Sequence, residues 1–135
     1  KFDNEYQKAF LNIKFTSSYL SNISDKIFNK YNISSQQYNV LRILRGAKKA
    51  IKVSTVKDRM IEKSPNTTRL MDKLVAKDFI IRSRKEEDRR AVYVEITKNG
   101  LDLVNSINVD DHKINLGKIT AEEAFELNRI LDKIR

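Results

Sequence analysis

Residues 66–97 read NTTRLMDKLVAKDFIIRSRKEEDRRAVYVEIT, and within this stretch the apolar period changes from helical to alternating. At 100° per residue, Thr67, Leu70, Met71, Leu74 and Val75 share one arc, while Asn66, Thr68, Arg69, Asp72, Lys73 and Ala76 face the other way. The spacing predicts a helix with one core face and one polar, mainly basic face. Ser64 and Pro65, the only proline, read as its N-cap and first residue, because proline lacks a donor that the first turn leaves unpaired anyway. From Phe79 to Arg84 and again from Ala91 to Thr97 the pattern is that of strands, with Val92, Val94 and Ile96 on one side and Tyr93 and Glu95 on the other. Lys85 to Arg90, between them, is wholly charged and lacks glycine, so the hairpin tip is expected to project into solvent rather than close as a tight two-residue turn.

Upstream, Ser34 and Gln37 have capping-box spacing, and Ile33 and Tyr38 sit where a hydrophobic staple would close. Val40, Leu41 and Leu44 give that helix its buried face, Gly46 is the expected stop, and Lys48, Lys49 and Lys52 decorate the connection that follows. Val53 with Ser54 or Thr55 then opens a short helix whose inner positions are Val56, Met60 and Ile61. At the start of the chain, Phe2, Tyr6, Phe10, Ile13, Leu20, Ile23 and Ile27 form an apolar stripe along a helix of about seven turns, which a bundle core could absorb and which is equally suited to packing against a second subunit, the reading favoured. Downstream, Thr97 caps a helix bearing Leu101, Val104 and Ile107, and residues 108–118 are expected to form a helix that is interrupted or frayed. A second capping box, Thr120 with Glu123, opens a last helix with Leu127, Ile130, Leu131 and Ile134 on one face.

The 135 residues fit one domain with an ordinary core. The net charge of +9 favours an anionic partner, and its distribution locates the surface concerned. Residues 34–97 carry 16 basic against 8 acidic side chains, so nearly all of the excess lies in the middle of the chain. No stretch has the roughly 20 apolar residues a membrane span needs, and no signal peptide or anchor is evident. The chain opens at Lys1 rather than Met, as a trimmed N-terminus would. Absence of cysteine excludes disulfides, thiol catalysis, thiol-based peroxide sensing and Cys-ligated zinc. One histidine, His112 beside Asp110 and Asp111, and no glycine-rich phosphate loop give an enzyme or a metal site little to work with. Met60 and Met71 read as core filler. No cofactor, metal or catalytic residue is expected.

Three helices and a two-stranded hairpin in a basic central segment, flanked by near-neutral helices with apolar stripes, make a winged helix-turn-helix plan. The fold class is thus mainly α with a small antiparallel β-hairpin, in one domain: a DNA-binding lobe at 34–97, and N- and C-terminal dimerisation helices at 1–33 and 98–135. The stretch 66–97 resembles the recognition helix and wing of the MarR (multiple antibiotic resistance regulator) family without a gap, and ITKNG, ending at Gly100, continues it. ISSQQYNVLRIL upstream and ITAEEAFELNRILDKI downstream extend the likeness over most of the chain, the first helix matching in character only. Departures are Asp78, where the family usually ends the helix with glycine, residues 83–86, where a proline is common, and a shorter segment before Ile119.

The resemblance implies a cytoplasmic, sequence-specific regulator of transcription, a repressor in the first instance, that binds pseudo-palindromic double-stranded operator DNA as a homodimer. It implies that the helix beginning at Ser64 and Pro65 enters the major groove, offering Asn66, Thr68, Arg69 and Lys73 to bases or phosphates. In the family's Asp-x-Arg wing motif, matched by Asp88 and Arg90, the arginine is expected in the minor groove with its guanidinium held by the aspartate. Lys85 and Arg89 are expected on phosphates, and Arg82 and Arg84 either there or in local ion pairs. A small aromatic or phenolic effector between the lobe and the dimerisation helices is also implied, with Phe15, Tyr19, Tyr38 and His112 as lining candidates, although aromatic residues at helical spacing are more often core. Two other classes fit the composition: an architectural DNA binder without sequence preference, and a helical module that binds acidic proteins.

Overall fold

The computed structural model describes residues 4–63, 65–86, 88–107 and 118–135, and Arg89 by its backbone only. Among the described residues, six helices and three strands follow in the order α1 (Glu5–Asn29), α2 (Ser35–Ala47), β1 (Ile51–Lys52), α3 (Val53–Arg59), α4 (Thr67–Ala76), β2 (Ile80–Lys85), β3 (Asp88–Ile96), α5 (Lys98–Ser106) and α6 (Ala121–Ile134). The expectations for Phe2, Ser64, His112 and residues 108–117 lie outside the described residues. No helix among the described residues is long and apolar enough to cross a membrane.

α2 is the centre of the fold. Its capping box forms in both directions, Ser34 Oγ accepting from the Gln37 amide and Gln37 Oε1 from the Ser34 amide. Val40, Leu41 and Leu44 are at most 1% exposed, and α1, α3, α4, α5 and β3 all pack against this helix. Phe28 at the end of α1 stacks on Tyr38, with ring centroids 4.3 Å apart. The stop lies two residues beyond Gly46, where Lys48 takes the left-handed conformation at φ 53°. Gly46 is part of the helix, and a Cβ there would meet nothing within 4 Å.

Ile51 and Lys52 form a strand that the sequence pattern did not announce, since two residues cannot display a period. β1 pairs with β3, Ile51 opposite Val94 and Lys52 opposite Tyr93, so the sheet has three antiparallel strands in the order β1-β3-β2. The hairpin itself was expected, but the first strand is shifted by one residue and the second is longer than the alternation suggested, and the strands are joined by two residues where a wider projection was expected. β2 runs to Lys85 and β3 resumes at Asp88, which pair with each other and leave only residues 86 and 87 between them. A register shift between Ser83 and Lys85 accommodates this irregular end.

Within the lobe, Val56 and Met60 are buried as expected. Ile61 is not: α3 ends at Arg59, so the helical phase that would have turned it inward has stopped, and it is 83% exposed. α4 begins at Thr67 with Asn66 as N-cap, two residues later than Ser64 and Pro65 implied; Pro65 belongs to the preceding turn. Thr67, Met71 and Leu74 face the core, whereas Val75, at the edge of the predicted arc, is partly exposed.

The end of α4 is tied to the start of α5. Asp78 is left-handed at φ 57°, the conformation for which glycine is usual, and its amide and that of Phe79 bond to the carbonyls of Val75 and Leu74, a Schellman closure. Hydrogen bonds hold the non-glycine residue there: Asn99 Nδ2 donates to the side-chain Oδ2 of Asp78 at 2.7 Å, and Thr97 Oγ1 donates to its main-chain carbonyl at 2.6 Å. Thr97 also caps α5 by accepting from the Gly100 amide. Gly100 packs against the backbone here, for an added Cβ would stand 2.1 Å from the Phe79 carbonyl oxygen and 2.9 Å from Ile96 Cγ1.

α6 has the expected capping box, Thr120 with Glu123, yet none of its residues is buried. Phe125, Leu127, Ile130 and Ile134 are exposed, as are Tyr6, Phe10, Ile13, Phe15 and Tyr19 on the first half of α1. Val104 and Ile107 of the predicted α5 face are buried, and Leu101 is not.

Gly46 and Gly100, both within helices, should respond oppositely to the same change. Alanine is favoured over glycine in a helix by up to about 1 kcal/mol, so Gly46→Ala is expected to raise stability by about 0.5–1 kcal/mol. Gly100→Ala must displace backbone and is expected to cost about 1–3 kcal/mol. Urea unfolding of both variants checks the pair of signs.

Candidate nucleic-acid interface

The outward face of α4 carries Asn66, Thr68, Arg69, Asp72 and Lys73, all exposed, because burial of Thr67, Met71 and Leu74 fixes the rotation of the helix. Beside it, Arg82, Ser83, Arg84 and Lys85 on β2 and Arg90 on β3 are also exposed. Between the two runs an open cleft of about 600 Å³, lined among others by Lys52, Ser54, Thr68, Arg82, Arg84 and Arg90. The first turn of α4 and the wing arginine therefore face a common space.

The basic side chains of this surface are not equivalent. Arg82 Nη1 contacts Asp72 Oδ1 at 2.6 Å, and its Nη2 donates to the Thr68 carbonyl at 3.2 Å. Arg82 thus clasps β2 to α4 and follows the local ion-pair alternative rather than reaching outward. A half-exposed pair of this kind contributes little stability, on the order of 1 kcal/mol or less; its effect is geometric, holding wing and helix at one angle. Lys85 Nζ lies 4.7 Å from the Tyr93 ring centroid, a cation–π contact that draws it along the strand. Arg69, Lys73, Arg84 and Arg90 make no ion pair among the described residues, which leaves their charge available.

Asp88 departs from its expected role. Its Oδ2 accepts from Lys52 Nζ at 2.8 Å rather than holding the Arg90 guanidinium. Lys52 keeps the Asp88 carboxyl below the ordinary carboxylate value, and the nearby backbone of Ala91 and Arg90 acts in the same direction. The Lys52 ammonium is correspondingly raised by Asp88. Competition explains the change of partner: β1 places an ammonium beside the carboxylate, and Arg90 is left to solvent. Lys52 and Asp72 are the residues that sequence reasoning missed, because their partners lie far along the chain or on another element. One signal was present for Lys52, since a cation at the N-cap of a helix satisfies no amide and opposes the dipole.

Of the remaining expected contacts, Pro65 is exposed in the turn before α4, Ser64 lies outside the described residues, and Arg89 is placed in β3 by its backbone alone. A second cleft, of about 410 Å³, opens between α1, α2 and the turn after α3. Leu20, Phe28, Tyr38, Arg42, Met60 and Ile61 are among its lining residues. Tyr38 was a lining candidate; Phe15 and Tyr19 are not brought to this cleft.

Comparison with known proteins agrees with the geometry. Residues 22–107 match the family model described as transcriptional regulator SarA/Rot. The chain is 30% identical to the HTH-type transcriptional regulator PecS of Dickeya dadantii, over 82% of this chain and 69% of that one. It is 29% identical to the HTH-type regulator MgrA of Staphylococcus aureus, over 82% and 76%. Among solved structures, a MarR transcription factor from Planctomyces limnophilus superposes with a TM-score of 0.73 at 33% identity, covering 98% of both chains. A mutant E. coli MarR complexed with operator DNA has the same fold, with a TM-score of 0.85 at 22% identity over 99% and 98%. These relatives are regulators, not enzymes. The chain therefore belongs to the SarA/Rot family of transcriptional regulators and has the MarR-type winged helix-turn-helix fold.

Proposed function

We propose that the chain binds operator DNA as a homodimer, with α4 in the major groove and the wing in the adjacent minor groove. The observation that carries this reading is the common cleft of Thr68 and Arg90, which lets one duplex meet both elements. Asn66, Thr68 and Arg69 are types that bond base edges, Lys73 and Arg84 suit phosphates, and Arg90 suits a narrow, electronegative groove. Arg89 and Lys85 are assigned to the backbone beside them, and Pro65 with Ser64 to the approach of the first turn. Arg82 and Asp88 act by holding the wing. Sequence preference separates this reading from an architectural binder, whose affinity for scrambled duplex would match that for the operator, whereas a regulator favours its site by a factor of about 10³ or more.

Dimerisation is supported by the exposed apolar faces of α1 and α6, which no element of the same chain covers among the described residues. Two recognition helices related by a twofold would then read half-sites about one helical turn apart. The cleft between α1, α2 and the α3 turn is our candidate for a small aromatic or phenolic effector, because a ligand there would shift the DNA lobe against the dimerisation helices. Release of bound duplex on titration with aromatic acids tests that part. Repression and a cytoplasmic location complete the reading.

Arg90→Ala and Arg69→Ala are each expected to weaken operator binding by about 1–3 kcal/mol, with Arg69→Ala also relaxing base preference within the half-site. Binding should fall steeply with salt as counterions are released. Titration of a duplex selected from a random pool, repeated across salt concentrations, measures both; wild-type affinity in Arg90→Ala refutes the wing assignment. Phe10→Glu combined with Ile130→Glu is expected to give a folded monomer with at least about 100-fold weaker operator binding, as one half-site is lost. Sedimentation equilibrium reads the first outcome and the same titration the second.

A further inference from the structure

Lys52 occupies a position that local chemistry disfavours. It is the N-cap of α3 with no side-chain cap bond, where Ser, Thr, Asp or Asn would satisfy a free amide. Its side chain turns instead to the wing, with Nζ 2.8 Å from Asp88 Oδ2 and 5.9 Å from the Tyr93 ring centroid. In the sheet, Lys52 is opposite Tyr93, five residues from Asp88 along β3. Five residues of straight strand cover about 16 Å, so the contact requires the wing to curl back over β1. The register shift between Ser83 and Lys85 supplies the bend. Asp88 stands on β3 two residues before Arg90. The Lys52–Asp88 pair thereby ties the strand that leads into α3 to the stretch of β3 that carries Arg90.

We propose that Lys52 is a positioning residue for the wing: through Asp88 it holds the stretch of β3 that carries Arg90, and so the angle at which that arginine approaches DNA. The inference rests on the proposed groove contact of Arg90 for its functional consequence. Its structural half stands apart from that contact. Both partners remain charged throughout the neutral range, since the pair raises the affinity of Lys52 for its proton and lowers that of Asp88. The rival role for Lys52, a direct phosphate contact, differs in its salt signature, because each neutralised phosphate adds about 0.9 to the slope of log affinity against log salt.

Lys52→Met, Asp88→Asn, their combination and Lys52→Arg are compared with wild type, using the tightest duplex that wild type selects from a random pool. Both side chains are exposed, and thermal melting checks that each variant is folded. Each single change is expected to weaken binding about tenfold, the double variant no more than about twofold beyond either, and Lys52→Arg to restore binding to within about twofold. The salt slope of Lys52→Met should equal that of wild type. In the free protein, hydrogen exchange at the Arg90 and Ala91 amides should quicken at least about threefold in Lys52→Met. Losses that add in the double variant, with a slope reduced by about one unit, overturn the proposal in favour of a phosphate contact. Unchanged exchange at Arg90 and Ala91 overturns the structural link, and is read without DNA. Failure of the DNA reading would show instead as a wild type that selects no duplex.

Discussion

The apolar ridge of α2 is the constraint on which the other elements depend. Val40, Leu41 and Leu44 have essentially no solvent contact, and helices before and after α2 in the chain, together with the central strand, pack against this helix. Close packing at such a ridge leaves each neighbour one comfortable position. α4 is held by Met71 and Leu74, both fully buried, and its outward residues follow from that rotation. The interface is exposed because the other face of the same helix is not.

Position along the helix is a different matter from the angle between helix and wing. Two sets of polar contacts determine that angle. At one end, Asp78, Thr97, Asn99 and Gly100 knit the exit of α4 to the entry of α5. Midway along β2, Arg82 joins Asp72 and the Thr68 carbonyl. Neither set is strong in the sense of stability, since surface pairs contribute little. Their value lies in direction: Arg82 and Asp88 give up outward reach so that Arg69, Arg84 and Arg90 keep theirs.

Most of the architecture was legible in the sequence because it rests on local rules. Both capping boxes formed as spaced, at Ser34 with Gln37 and at Thr120 with Glu123, and the arcs of α2 and α4 were buried nearly as drawn. The misplacements have a common source. Pro65 can begin a helix but need not, and here the turn before α4 claims it. Gly46 can end a helix, but Lys48 reaches the left-handed conformation two residues later. Ile61 continued a period after its helix had stopped. A local rule states what a residue tolerates, and packing decides whether the tolerance is used.

The sequence by itself determined most of the residues that face inward, where the positive charge concentrates, and that α1 and α6 carry apolar faces along their length. Periodicity and composition encode these, because burial of apolar surface follows the helical and strand repeats. Only the tertiary structure decided which cations are free. Lys52 meets Asp88 across 36 positions of chain, and Arg82 meets Asp72 on another element. Those encounters depend on sheet order and on the bend of the wing. Pairing of charges is a matter of distance in space, and no spacing rule along the chain can state it.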